Sequence, residues 1–181
     1  MTRSTKRKGK RAKDLDPVLY TTKRWLRAVI MEAIHFWAPI LKLESFVDQI
    51  DVFIAESDDK LIGEDSGASV VVDSTRRSAS LRIKRSIVKD MWGEYIDRNY
   101  TPSEVVEATI IHELCHIIIH PMSQWAISVA ENMKNNVILG NLFSREEEIS
   151  VEHLTRVFHS LKEYISPDKK FRGTIKYISK E

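Results

Sequence analysis

His112, Glu113 and His116 stand in the run Ile110-Ile111-His112-Glu113-Leu114-Cys115-His116-Ile117-Ile118-Ile119, an H-E-x-x-H pattern inside an apolar segment. Residues four apart share one face of a helix, so the two imidazoles can reach a single metal ion. Glu113 lies one step round, where a carboxylate can sit beside a metal-activated water without ligating the metal itself. Burying this polar triplet among isoleucines is costly unless its polar groups find partners, and a cation supplies them.

Two histidines do not complete a catalytic zinc site, which takes three protein ligands and leaves one position open. His120 is the next histidine. On a straight helix it lies about 12 Å along the axis from His112, so the three imidazoles cannot converge on one ion. It reads instead as a residue of the helix C-terminus, favoured there by the dipole. The acids Glu146, Glu147, Glu148 and Glu152 offer a third ligand from a second helix. Glu147 follows Ser144 by three residues, so a capping box explains it without metal. It also lies nearest the centre of that helix's apolar face, which favours it as an inward ligand, whereas Glu146 points away. Three acids in a first turn suit the helix dipole in any case.

H-E-L-C-H followed by E-x-x-x-E resembles the gluzincin metallopeptidases, the thermolysin type. Among these the chain is most similar to the small single-domain zincins of phage and prophage genomes. The resemblance covers the H-E-x-x-H helix and the final helix, and loosely the strands before them. It implies Zn2+ as cofactor, with His112, His116 and Glu148 as metal ligands and Glu152 as the acceptor that orients His112. It also implies Glu113 as general base in the hydrolysis of a peptide or protein substrate. The choice between Glu148 and Glu147 stays open. The chain is far shorter than the thermolysin-type enzymes, has no separate domain to wall a cleft, and shows no His or Tyr motif for oxyanion stabilisation. His153, Arg156 and His159 are the unassigned candidates for that task. The alternative is a catalytically silent zincin-fold binding or structural module that contacts nucleic acid or a large assembly.

The elements that must hold these residues follow from pattern. Thr101-Pro102-Ser103-Glu104 combines an S/T-x-x-E capping box with Pro at the first helical position, predicting a helix from there to His120-Pro121. Residues 122–137 predict a further helix, with Trp125, Val129 and Met133 at four-residue spacing and breaks at Asn135-Asn136 and Gly140-Asn141. Ser144-Arg145-Glu146-Glu147 predicts the start of the final helix, with Val151, Leu154, Phe158, Leu161 and Ile165 inward and Pro167 closing it. Upstream, Asp16-Pro17 predicts the start of an N-terminal helix carrying Trp25, Val29, Ile30, Ala33, Ile34 and Trp37, ended or kinked at Pro39. Residues 49–55, 69–73 and 79–84 predict three short strands, the last an edge protected by Arg82 and Lys84 and able to pair with an extended substrate. Residues 58–67 are an acidic loop whose spacing does not match an EF-hand. The expected fold is α+β: a single minimal zincin-like domain with an N-terminal helix, a three-stranded sheet, the H-E-x-x-H helix and a C-terminal helix carrying the third ligand.

With 181 residues, 43% hydrophobic and 30% charged, the chain suits one globular core, expected over residues 14–167. Its net charge of +2 conceals a basic arm, because residues 1–13 hold seven Lys or Arg and no acid. Such an arm is expected to be disordered and serves either solubility or contact with nucleic acid or another polyanion. Residues 168–181 form a basic tail that packs as a short strand or stays mobile. Cys115 is the single cysteine, so no internal disulfide forms, which suits a reducing compartment, and it reads as a small core residue. No secretory signal follows the arm, and the apolar stretch 28–41 is too short and too interrupted to span a bilayer. The expected location is cytoplasmic, away from membranes.

Overall fold

Thr22 starts the first helix: its hydroxyl accepts the Trp25 amide at 3.3 Å, and α1 runs Lys23–Ile40. Leu26, Ile30, Ala33, Ile34 and Trp37 recur at three and four residues and are all buried. Pro39 sits in the last turn, and the helix ends one residue later. The computed structural model describes residues 22–56, 62, 66–90, 100–132, 136–167 and 169–178. The expected basic arm, the Asp16-Pro17 start and most of the acidic loop lie outside them.

The sheet holds β1 (Gln49–Ala55), β2 (Ala68–Asp73), β3 (Ser78–Lys84) and β4 (Thr174–Tyr177) in the order β2-β3-β1-β4. β1 pairs in parallel with β3 and β4, and β2 and β3 form an antiparallel hairpin. The coarse α+β class is as expected. The basic tail packs as a short strand, one of the two outcomes expected for it, which makes the sheet four-stranded rather than three-stranded. The strand expected at the edge is internal, and β2 and β4 are the edges. The alternation along β3 marks a face rather than an edge. Ala79, Leu81 and Ile83 enter the core, while the Arg82 guanidinium lies 4.8 Å over the Phe53 ring on the other face.

Thr101 closes a full capping box on α2 (Pro102–Glu131): its hydroxyl accepts from the Glu104 amide at 3.3 Å, and Glu104 accepts from the Thr101 amide at 2.6 Å. Val106, Ile110, Ile111, Leu114 and Ile117 carry the helix through the core. α3 (Asn136–Leu161) returns antiparallel along it. The break expected at Pro121 is absent. α2 passes through that residue to Glu131 and absorbs most of the further helix expected there, and α3 starts ahead of Ser144, which is therefore mid-helix rather than a cap. One proline costs a helix about 3 kcal/mol. Packing of α2 against α3 on both sides of Pro121 outweighs that cost. α2 is also apolar and long enough to span a bilayer, but 61% of that window is buried in the fold.

Glu107 sets the register of α3 at the opposite end. This buried carboxylate accepts the Trp37 indole N–H at 2.8 Å and pairs with Lys162, while the Phe158 ring packs edge-on against Trp37 at 6.1 Å. α1, α2 and the end of α3 are thereby fixed to one another. Pro121→Ala restores the amide that can bond the Ile117 carbonyl at an exposed position. We expect stabilisation by about 1–3 kcal/mol, read as a rise of several degrees in thermal melts. An unchanged or lower melting temperature would mean the helix is not continuous there.

Candidate metal centre

The candidate site lies at the seam between α2 and α3. His112 and His116 lie one turn apart on the face of α2 that meets α3, with their Nε2 atoms 3.3 Å apart. Glu148, from α3, spans both: its Oε2 is 3.5 Å from His112 Nε2 and its Oε1 is 3.4 Å from His116 Nε2. Donors held about 2.0–2.1 Å from a tetrahedral zinc are spaced about 3.3–3.4 Å from one another; the two Nε2 atoms have that spacing, and a different oxygen of Glu148 stands close to each.

Each ring has a carboxylate on its other side. Glu147 Oε1 is 3.0 Å from His116 Nδ1, a hydrogen bond, and Glu152 Oε2 is 3.8 Å from His112 Nδ1, close but longer than one. Arg156 orients Glu152 by donating to its Oε1 from Nε and Nη2, both at 2.8 Å. The hydrogen bond with Glu147 favours the His116 tautomer with its proton on Nδ1, which leaves the His116 Nε2 lone pair free. Both Nε2 atoms and the Glu148 carboxylate gather at one place. Two imidazoles and a carboxylate are a donor set suited to zinc. His112 and His116 are 25% and 16% exposed against 62% for Glu148, so the point is open to solvent on the α3 side.

Burial, followed by repulsion from His116, holds the His112 pKa below its ordinary value, against the pull of Glu148 and Glu152. Glu113 is 6% exposed. Burial first, then the negative Glu148, pushes its carboxyl up to about 8, while hydrogen bonding from the Val70 backbone acts in the opposite sense. Cys115 is fully buried and its thiol is pushed up to about 12 by burial, consistent with a core residue.

A cleft of about 300 Å³ opens over the site, with Ser69 and Val70 of β2 on one side and His112, His116 and Glu148 on the other. The edge strand beside the site is thus β2, not residues 79–83. His120 also lines this cleft. It cannot be a helix-terminal residue, because α2 continues to Glu131. Nor do the other candidates for oxyanion stabilisation line the cleft. His153 is exposed, Arg156 serves Glu152, and His159 packs against the Tyr100 ring at 4.9 Å.

The sequence leaves Glu147 and Glu148 as alternative ligands; the structure puts Glu148 against both Nε2 atoms and Glu147 against His116 Nδ1. The signal for Glu147 is that two ligand histidines need two acceptors, one of which is Glu152. No protein-family model, curated protein or solved structure matches the chain.

Glu148→Ala should lower zinc affinity, measured by competition with a chromophoric chelator, far more than Glu147→Gln, which should cost about 10–100-fold. Equal losses would contradict the division of tasks. Glu113 holds its proton more tightly folded than unfolded, so the metal-free protein loses stability as pH rises from about 4.5 through 8. In the presence of chelator, Glu113→Gln should therefore melt higher than the native chain at pH 8, by about 3–5 kcal/mol, with the gap closing by pH 5. A gap independent of pH would contradict a buried, raised carboxyl.

Proposed function

We propose that the protein is a zinc-dependent metallopeptidase of gluzincin type that hydrolyses a peptide or protein substrate. One observation carries this reading: two imidazole nitrogens and the Glu148 carboxylate gather within 4.8 Å of one another, beside a buried carboxylate and under an open cleft. His112, His116 and Glu148 would hold the ion, with Glu147 and Glu152 orienting the rings. Zinc bound there would supply Lewis acidity for the attack of water on a carbonyl.

Glu113 is the general base. It takes the proton of the attacking water and returns it to the leaving amine. A carboxyl that binds a proton near pH 8 is well suited to the second half of that task, and a nearby cation favours the ionised form needed for the first. An extended substrate lies along β2, the sheet edge that lines the cleft. His120, one turn beyond His116 and about 6 Å along the axis, is placed to donate a hydrogen bond to the bound chain.

A catalytically silent binding module is the second reading, favoured by the absence of a second lobe over the cleft among the described residues. Cleavage of a peptide library by the zinc-loaded protein separates the two. The enzyme reading expects cleavage that falls by about 10²–10⁴-fold in Glu113→Gln with zinc content unchanged. Stoichiometric zinc with no cleavage by either protein would favour the silent module, and equal cleavage by both would remove Glu113 from the mechanism.

A further inference from the structure

The sheet edge remote from the metal cleft carries a different chemistry. The cleft lies against β2, and β4 is the opposite edge, three strand spacings or about 14 Å away. Burial alternates over residues 170–177. Phe171, Gly173, Ile175 and Tyr177 are half-buried, while Lys170, Arg172, Thr174 and Lys176 are exposed. Phe171, Ile175 and Tyr177 pack on the core, and the Thr174 and Ile178 amides donate to the Asp48 and Val52 carbonyls at 2.8 and 2.9 Å. The exposed cations are therefore carried on docked backbone.

α1 runs beside this segment. Near its start the Arg27 guanidinium lies 4.3 Å over the Tyr177 ring, and at its end Ile40, Lys42 and Lys169 line one cavity. From Arg27 to Ile40 is about 20 Å of helix. Residues 22–31 and 169–178 together hold seven Lys or Arg and no acid, in a chain whose net charge is only +2. Lys23 pairs with Glu56 at 2.9 Å, whereas Arg24, Lys170 and Arg172 make no ion pair among the described residues. Glu44, at the Lys42 end, and Asp51, opposite Lys176 in register, offset part of the charge.

We propose that this seam between α1 and β4 binds the phosphate backbone of double-stranded DNA without reading its sequence. Cations spread over about 20 Å face roughly six base-pair rises of about 3.4 Å. None of the exposed large apolar side chains falls in either segment. The seam therefore has no apolar centre for an acidic protein partner and no wedge for an anionic bilayer. Its aromatic rings are half-buried, with Tyr177 covered by Arg27, which leaves no stacking surface for unpaired bases. An RNA duplex is recognised in good part through its 2′-hydroxyls, and Thr174 is the one exposed group of residues 169–178 that is not a cation. The seven Lys or Arg of residues 1–13 precede α1 in the sequence and add to the attraction. DNA held at β4 leaves the metal cleft at β2 uncovered.

Fluorescence anisotropy of a labelled DNA duplex, titrated with the full chain in the presence of chelator so that the outcome does not depend on zinc, tests this. Two unrelated sequences should bind equally, with affinity falling steeply between about 50 and 200 mM salt. Arg24→Gln, Lys170→Gln and Arg172→Gln together should weaken binding at least ~10-fold and reduce the slope of log K against log salt by about 2–3, with the melting temperature unchanged. Arg24→Gln alone should reduce that slope by about 1. A native chain that does not bind at about 50 mM salt would overturn the proposal. So would binding undiminished in the triple variant but lost when Lys6, Arg7, Lys8 and Lys10 are changed to Gln, because residues 1–13 would then be the site. Tighter binding to an RNA duplex, or to vesicles containing phosphatidylserine, would contradict the choice of partner.

Discussion

Two imidazole Nε2 atoms and a carboxylate face one another across 3.3–3.5 Å at the seam of two helices. Such a meeting of electron-rich atoms is unfavourable in a partly desolvated place unless positive charge lies among them. A proton serves poorly, since burial and the neighbouring His116 hold the His112 pKa down. A divalent cation satisfies all three donors together. Much of the structure can be understood as holding that seam in register. The Thr101 capping box nucleates α2, the isoleucine-rich face locks it into the core, and Glu107 ties the far end of α3 to both α1 and α2.

Carboxylates around the seam are differentiated by position rather than by type. Glu148 is exposed and reaches both Nε2 atoms, whereas Glu147 and Glu152 stand behind the rings. Glu113 differs from all three because it is buried, against the backbone of β2. Under the proposed function, such a separation of environments would give one site both an anion able to bind metal and a carboxyl able to exchange protons. The position of β2 matters twice, since it supplies the backbone contact to Glu113 and forms the wall of the cleft.

The local signals in the sequence were the most legible. The capping box at Thr101 carries full information in four residues and marks the start of α2 to the residue. The spacing of His112 and His116, and of Glu148 and Glu152, is likewise local, and the structure brings these four side chains together. What failed were boundaries set by tertiary packing. Pro121 reads as a stop, yet helix–helix packing carries α2 through it. Ser144 reads as a cap, yet α3 has already begun at Asn136. The charged alternation on β3 reads as an edge, because sequence alone does not distinguish a solvent-facing side from an unpaired strand. The pairing of β1 with β4 joins residues more than a hundred apart and leaves almost no local trace.

Binding of one zinc ion by His112, His116 and Glu148 is tested most directly by X-ray absorption at the zinc edge of the loaded protein. The expected spectrum shows a four-coordinate ion with two imidazole nitrogens and only oxygen besides, at about 2.0–2.2 Å. A sulfur scatterer near 2.3 Å, or zinc that fails to remain at one per chain after dialysis, would contradict it.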